Sequence, residues 1–325
     1  MTLPFSGVSI LDRAQSRLGS SEAETLQHVI ERAQRAERLG YRRFWVAEHH
    51  GVPGIAGSVP AVLAAAVASR TATIRVGTGG IMLPNHQPLV VAEQAATLAA
   101  LFDGRFDLGL GRSLGFTQAV RSALRTGKEE ADRFGEDIAE LLAFLGGTAP
   151  ITARPQDAGR TPVFVLATGH GVDIAAQAGL AVVLGGPALF RDRNPALERY
   201  RSSFRPSPWW DRPHVTASLN VAVAGTTAEA RQLLLPEARA MAVSRTRGSF
   251  PPLEAVGDQP LSAREEGYVE ESLATAVHGT AADVGRQLAE LQARTGADEL
   301  LVSGGAFDLE AQARSDELLA ELAAP

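Results

Sequence analysis

A chain of 325 residues that is 45% apolar and 21% charged has the make-up of a folded globular protein, with length for one large barrel or two smaller domains. A formal charge of −6 without a basic cluster excludes an electrostatic footprint for a nucleic-acid backbone or an anionic membrane. The lack of cysteine excludes disulfides, thiolate metal sites and cysteine nucleophiles.

The N-terminus has no basic head followed by an apolar run. The longest apolar stretch, residues 59–68, is interrupted by Pro60 and too short to span a bilayer, so a cytoplasmic protein is expected. In chain order, a β-branched run at 8–11 predicts the first strand. Ser21 with Glu24 has capping-box spacing and opens a helix over 23–39, which Gly40 follows as a left-handed cap. Strand 43–47, helix 61–69, strand 74–78, helix 91–102, strand 106–110 and helix 136–145 come next. Strands are then predicted at 163–167, 181–184 and 215–224, with Gly179 just before the second of them. A helix at 228–242, another at 282–295 started by Thr280 with Asp283 and ended by Gly296, and a strand at 299–303 complete the pattern. Eight strands separated by helices favour an α/β fold of the closed (β/α)8, or TIM, barrel type over an open doubly wound sheet, and residues 1–325 are read as one such domain. Two Gly- and Pro-rich stretches, 146–162 and 246–262, are too long for plain connections and are expected as loops over the C-terminal barrel face. The pair Trp209–Trp210 either lines a pocket or packs a loop onto the barrel.

The run at 42–50 ends in Glu48, His49 and His50, three titratable side chains at the end of a strand, where a barrel keeps its chemistry. A carboxylate beside two imidazoles is suited to moving protons near neutral pH. The bland alternative is a histidine pair held in structural hydrogen bonds. Adjacent strand residues point to opposite faces, so His49 and His50 are not expected to share a metal ion. The strand at 74–78 runs into Gly77, Gly79 and Gly80, as though backbone had to approach a ligand closely. The next strand leads through Gly109 and Gly111 to Arg112 and Gly115. This spacing does not fit a GxGxxG dinucleotide fingerprint. Arg112 is read as a clamp for a phosphate, the alternative being a surface ion pair.

Three of these segments, RFWVAEHHG, RVGTGGIMLPNHQP and AEQAATLAALFDGRFDLGLGR, together resemble the bacterial luciferase-like family of flavin-dependent oxidoreductases. Within it the chain is most similar to FMN-using monooxygenases that tailor aromatic polyketides in actinobacteria. The likeness is dense over 37–112, thinner to 204 and recovers at 279–303. It implies that His49 is the catalytic histidine, with Glu48 and His50 as its supporting neighbours. It places a non-prolyl cis peptide at Gly79–Gly80 beneath the isoalloxazine, and makes Arg112, with Arg133 as a second arginine, the phosphate ligands. Thr168-Gly169-His170-Gly171 matches the loop that offers hydroxyls and amides to the flavin phosphate. Here Thr168 keeps a hydroxyl, Gly171 does not, and His170 departs from the pattern. Gly185-Gly186-Pro187, and Gly111 where luciferases have a cysteine, leave room beside the ring for a polycyclic substrate.

The implied reaction is a two-component one. Reduced FMN from a separate NAD(P)H-dependent flavin reductase reacts with O2 to a C4a-hydroperoxide, which inserts one oxygen atom into a small organic substrate. The resemblance also implies a homodimer formed through the small-residue helices at 61–69 and 91–102. Two other readings stay open: a flavin-binding protein without catalysis, and a deazaflavin-dependent oxidoreductase.

Overall fold

A computed structural model describes residues 3–156, 160–257 and 260–324. Its strands are β1 (Val8–Asp12), β2 (Arg43–Val46), β3 (Arg75–Thr78), β4 (Ile81–Met82), β5 (Phe106–Gly111), β6 (Val163–Leu166), β7 (Ala181–Gly185), β8 (Val215–Val223), β9 (Val277–Gly279) and β10 (Glu299–Ser303). Eight of them close a parallel barrel in the order β1-β2-β3-β5-β6-β7-β8-β10, with β10 bonded back to β1. Parallel neighbours need crossover connections, and helices supply them. These are α1 (Glu22–Arg38), α2 (Pro60–Ala68), α3 (Pro88–Leu101), α4 (Gln118–Leu124), α5 (Lys128–Asp132), α6 (Phe134–Gly146), α7 (His170–Ala178), α8 (Pro195–Ser203), α9 (Thr227–Arg247), α10 (Ala263–Ala274), α11 (Ala281–Thr295) and α12 (Leu309–Ala323). Among the described residues no helix is long and apolar enough to cross a membrane.

Strand periodicity divides the core in two. On β2, Phe44 and Val46 pack outward with the helices, in the large cluster that holds Val29, Ala33, Val67 and Leu98. Trp45 and Ala47 belong instead to the barrel interior, with Leu11, Phe164, Ala181, Val183 and Leu301. At the N-terminal end the interior is ionic. Arg43 donates to Asp107 at 2.7 Å and to Glu299 at 3.0 Å, and Arg75 reaches Asp107 at 2.7 Å. Trp45 adds an indole N–H to Asp107 at 3.1 Å. Burial pushes the Glu299 carboxyl up, but His214 and Arg43 more than offset it and hold it down at about 2.

All eight sequence-predicted strands coincide with the barrel strands, and the capping boxes at Ser21 and Thr280 form. Gly179 and Gly296 close α7 and α11 with φ of +63° and +59°, a left-handed backbone that glycine adopts at the least cost. The two long loops lie at opposite ends. Residues 147–156 and 160–162 lie between α6 and β6 and therefore sit at the N-terminal end, away from the face where they were expected. There Trp210 donates to Val163 O at 2.9 Å and Trp209 packs against the main core, so this pair is packing. Of the second stretch, Thr246 and Arg247 continue α9, and 248–257 crosses the C-terminal end. Residues 157–159 and 258–259 of these loops lie outside the described residues.

Candidate active site

Strand β2 delivers three side chains to the C-terminal end of the barrel. Glu48 is buried, 3% exposed, and its carboxylate gathers donors from three places. It accepts from Met82 N at 2.9 Å, and both His50 Nε2 and His86 Nε2 lie within hydrogen-bonding distance, at 2.7 and 2.9 Å. Burial pushes this carboxyl up; the hydrogen bonds from His86, His50 and Met82 outweigh it and leave Glu48 below the usual carboxylate range. An ionised Glu48 thus ties the end of β2 to the end of β4 and the turn after it.

His86 received no role from the sequence, and its proximity to Glu48 comes from folding across 38 positions. Glu48, His50 and His86 offer ligand-type atoms within 4.8 Å of one another. This set differs from the adjacent pair His49 and His50. These atoms are already hydrogen-bonded to each other. Among the described residues neither imidazole has the outer acceptor that orients a ligating histidine. We assign no ion to them.

His49 is held by its backbone N–H to Gly57 O at 3.0 Å. Its imidazole lies parallel to the Phe116 ring, with 5.7 Å between centroids. Its Nδ1 is buried without a hydrogen-bond partner. Burial, and then the Arg13 guanidinium, push the imidazole down to about 4, against a smaller opposing pull from Glu48. His49 is therefore a neutral proton acceptor at physiological pH, not a group titrating near 7 as its residue type suggests. A cavity of about 190 Å³ opens beside it, lined by His50, Phe116, Ile55, Met241, Phe250 and Arg13. Its wall is knitted from three chain segments: Ser16 N donates to Gly54 O, Gly54 N to Phe250 O and Leu253 N to Ser16 O, at 2.8–2.9 Å. A Cβ on Gly54 would fall 2.1 Å from Pro251 O, so only glycine fits that junction.

Register places the remaining residues on neighbouring strand ends. Val46 pairs with Thr78, so the chain leaves β2 through Ala47 and Glu48 alongside Gly79 and Gly80, whose peptide bond is cis. Met82 pairs with Gly111, and Gly111 with Leu166, so Arg112 and Thr168 follow on adjacent strands. The glycines differ in what requires them. A Cβ on Gly79 would meet Leu11 at 2.5 Å and one on Gly80 the Gly109 backbone at 2.9 Å, whereas Gly111 faces open space, its nearest neighbour Ile81 O at 3.8 Å. The cavity at His49 is not lined by Gly79, Gly80 or Arg112. Arg112 donates to Ala131 O at 2.8 Å and to Asp132 at 2.7 Å, where Lys128 also pairs. It is thus in the ion pair that the sequence left as the alternative. Arg133 faces Glu136 at 3.3 Å and is largely exposed. Thr168, Gly169 and His170 are exposed at the N-terminus of α7, with Gly171 buried behind them, which is the anion-favouring end of a helix.

The family model described as luciferase-like monooxygenase matches residues 6–299. A luciferase-like monooxygenase of Escherichia coli (strain K12) is 36% identical over 321 residues, 95% of each chain. The N-acetyl-S-alkylcysteine monooxygenase of Bacillus subtilis (strain 168) is 44% identical over 148 residues, 45% of this chain and 44% of that one. Among solved structures, apo-MsnO8 superposes with a TM-score of 0.84 at 32% identity, covering 97% of this chain and 98% of its own.

Proposed function

The chain belongs to the luciferase-like monooxygenase family, and on that premise we propose that it is an FMN-dependent monooxygenase supplied with reduced FMN by a separate NAD(P)H-dependent flavin reductase. The observation that carries this reading is His49, a neutral imidazole with an unpartnered buried Nδ1 beside a cavity at the C-terminal end of a barrel strand. A buried polar atom without a partner costs free energy unless a ligand completes it.

The residues present fit a flavin. Gly79, Gly80 and Gly111 would carry the ring, and Thr168 with the first-turn amides of α7 (Gly169, His170, Gly171) would take the phosphate, helped by Arg112 and Arg133. Reduced FMN, when bound, supplies the electrons that activate O2. The chain's own task is to orient the reactants, to exclude water with Phe116 over His49, and to accept a proton at His49. Glu48 keeps the β2 and β4 ends in register for this. Because His50 and His86 already share Glu48, neither competes for the His49 site.

The finer substrate reading, an aromatic polyketide, rests on the sequence resemblance. A cavity of about 150 Å³ in a protein interior holds benzene, so the space at His49 suits one ring or chain of a larger molecule. Val59, Val62, Val90 and Leu101 are exposed on or beside α2 and α3, which supports the homodimer reading. The whole chain is taken as a single functional barrel.

The test is turnover with chemically reduced FMN under ¹⁸O2 and a panel of anthraquinone-like substrates, followed by mass spectrometry. One labelled oxygen per product is expected. His49→Ala should lose the product while its affinity for FMN stays within about 1 kcal/mol, the scale of one hydrogen bond. Turnover with a reduced deazaflavin in the absence of O2, or unchanged yield in the variant, would defeat the proposal.

A further inference from the structure

Resting on the reading of the His49 cleft as the substrate site, we propose that Arg13 anchors an anionic oxygen group, so that the cleft selects apolar organic acids. Arg13 leaves the end of β1 and lines the cleft together with Phe116. Its side chain is 18% exposed, and its Nη2 is fixed by Glu237 Oε1 at 2.6 Å, with Asn220 Oδ1 at 3.5 Å. Glu237 is itself immobilised: it accepts from Gly305 N at 2.7 Å and Asn220 Nδ2 at 3.2 Å. One corner of the guanidinium is thus locked. Nε and Nη1 have no partner among the described residues and are not buried.

The surroundings decide what those donors want. Among the described residues no carboxylate lines the cleft. Its other walls are Val52, Ile55, Phe116, Met241 and Phe250, with the hydroxyls of Thr117, Ser244 and Ser249 among them. Glu237 is bonded from behind and does not reach the lining. An apolar wall lowers the local dielectric, where a charge-assisted hydrogen bond is worth about twice a neutral one. A guanidinium held by one corner with free N–H groups is a pre-oriented receptor for an oxyanion. A ligand with an apolar ring or chain against Phe116 and Phe250 and a carboxylate on Arg13 uses every feature of the cleft, whereas a neutral hydrocarbon would desolvate Nε and Nη1 without giving them an acceptor. Nothing in the chain order announces this: Arg13 and Glu237 are 224 positions apart.

The test is calorimetric titration of the full-length protein, with FMN present, using 4-phenylbutanoate and its methyl ester as probes near neutral pH. The acid should bind about tenfold tighter or better, the scale of one charge-assisted hydrogen bond. Arg13→Gln alone strands the buried Glu237, so the decisive variant is Arg13→Gln with Glu237→Gln, which removes the pair as a unit. There the acid and ester should bind within about twofold of each other. Arg13→Lys, which keeps the charge and loses the fork, should fall between. An acid bound no more tightly than its ester by the wild type, or an acid preference that survives in the double variant, overturns the anchor. The titration needs no turnover, so an intact acid preference without oxygenated product would count against the monooxygenase reading and leave the anchor standing.

Discussion

The two ends of the barrel are built from the same strands on opposite principles. At the N-terminal end, Arg43 and Arg75 meet Asp107 and Glu299, and each of these buried charges has a counter-charge within 3.0 Å. At the C-terminal end the polar groups are left open: His49 Nδ1 has no partner, Arg13 uses one corner of its guanidinium, and one carboxylate serves two histidines. The N-terminal cluster has more formal charge and no visible chemistry left to do. Thr216 Oγ1, near the N-terminal end of β8, is unpartnered as well, so a candidate site is marked by an unpartnered group that also borders a cavity, as His49 does, and not by how many charges it holds.

Variants should separate the two ends. Arg43→Met removes the cation shared by two buried carboxylates, leaving Asp107 to Arg75 and Glu299 to Arg42, and should cost about 3 kcal/mol of stability in urea unfolding. A loss under about 1 kcal/mol would mean that the ionic end is not structural. Acid should act on both ends through opposite groups. Glu299, held at about 2, contributes stability that is present above the ordinary carboxylate range and is lost as the pH falls toward 2. His49, pushed down to about 4, is neutral when folded, so the unfolded chain takes the proton first. Stability should therefore decline from about pH 6.5 down to about pH 4, by about 3 kcal/mol at most. That upper step should shrink in His49→Gln to the part contributed by His278, which burial also pushes down, while the Glu299 step remains, as measured by unfolding midpoints across the pH range.

Smaller effects sharpen the contrast. Glu48→Gln keeps an acceptor for Met82 N but removes the anion from His50 and His86, and should cost about 1–2 kcal/mol with a clear fall in turnover. Phe116→Ala should change stability by no more than about 0.5 kcal/mol, because the ring is 60% exposed. It should nevertheless raise hydrogen peroxide release per turnover by uncovering His49. Peroxide release equal to wild type would remove Phe116 from the water-excluding role.

What the sequence could and could not say follows from the range of the interactions. The eight barrel strands were readable because strands buried on both faces are continuous apolar runs. β4 and β9, with two and three residues, are too short to leave such a run. α4 and α5 are short, and α10 carries four glutamates, so their apolar periodicity is faint. At the site, Glu48, His49 and His50 were legible as neighbours on one strand. His86, Phe116 and Arg13 were not, because each comes from another strand end and meets His49 or Glu48 only when the barrel closes. Arg112 was legible as a rim arginine, but its pairing with Asp132 on α5 was not.

The most direct test is an anaerobic titration of reduced FMN, followed by flavin fluorescence, against the wild type and one variant at each end. Gly111→Phe fills the open space in the C-terminal layer and should weaken binding about tenfold or more, while Trp210→Phe, at the far end, should bind as the wild type does. Wild-type affinity in Gly111→Phe would contradict the placement of the flavin at the C-terminal end of the barrel.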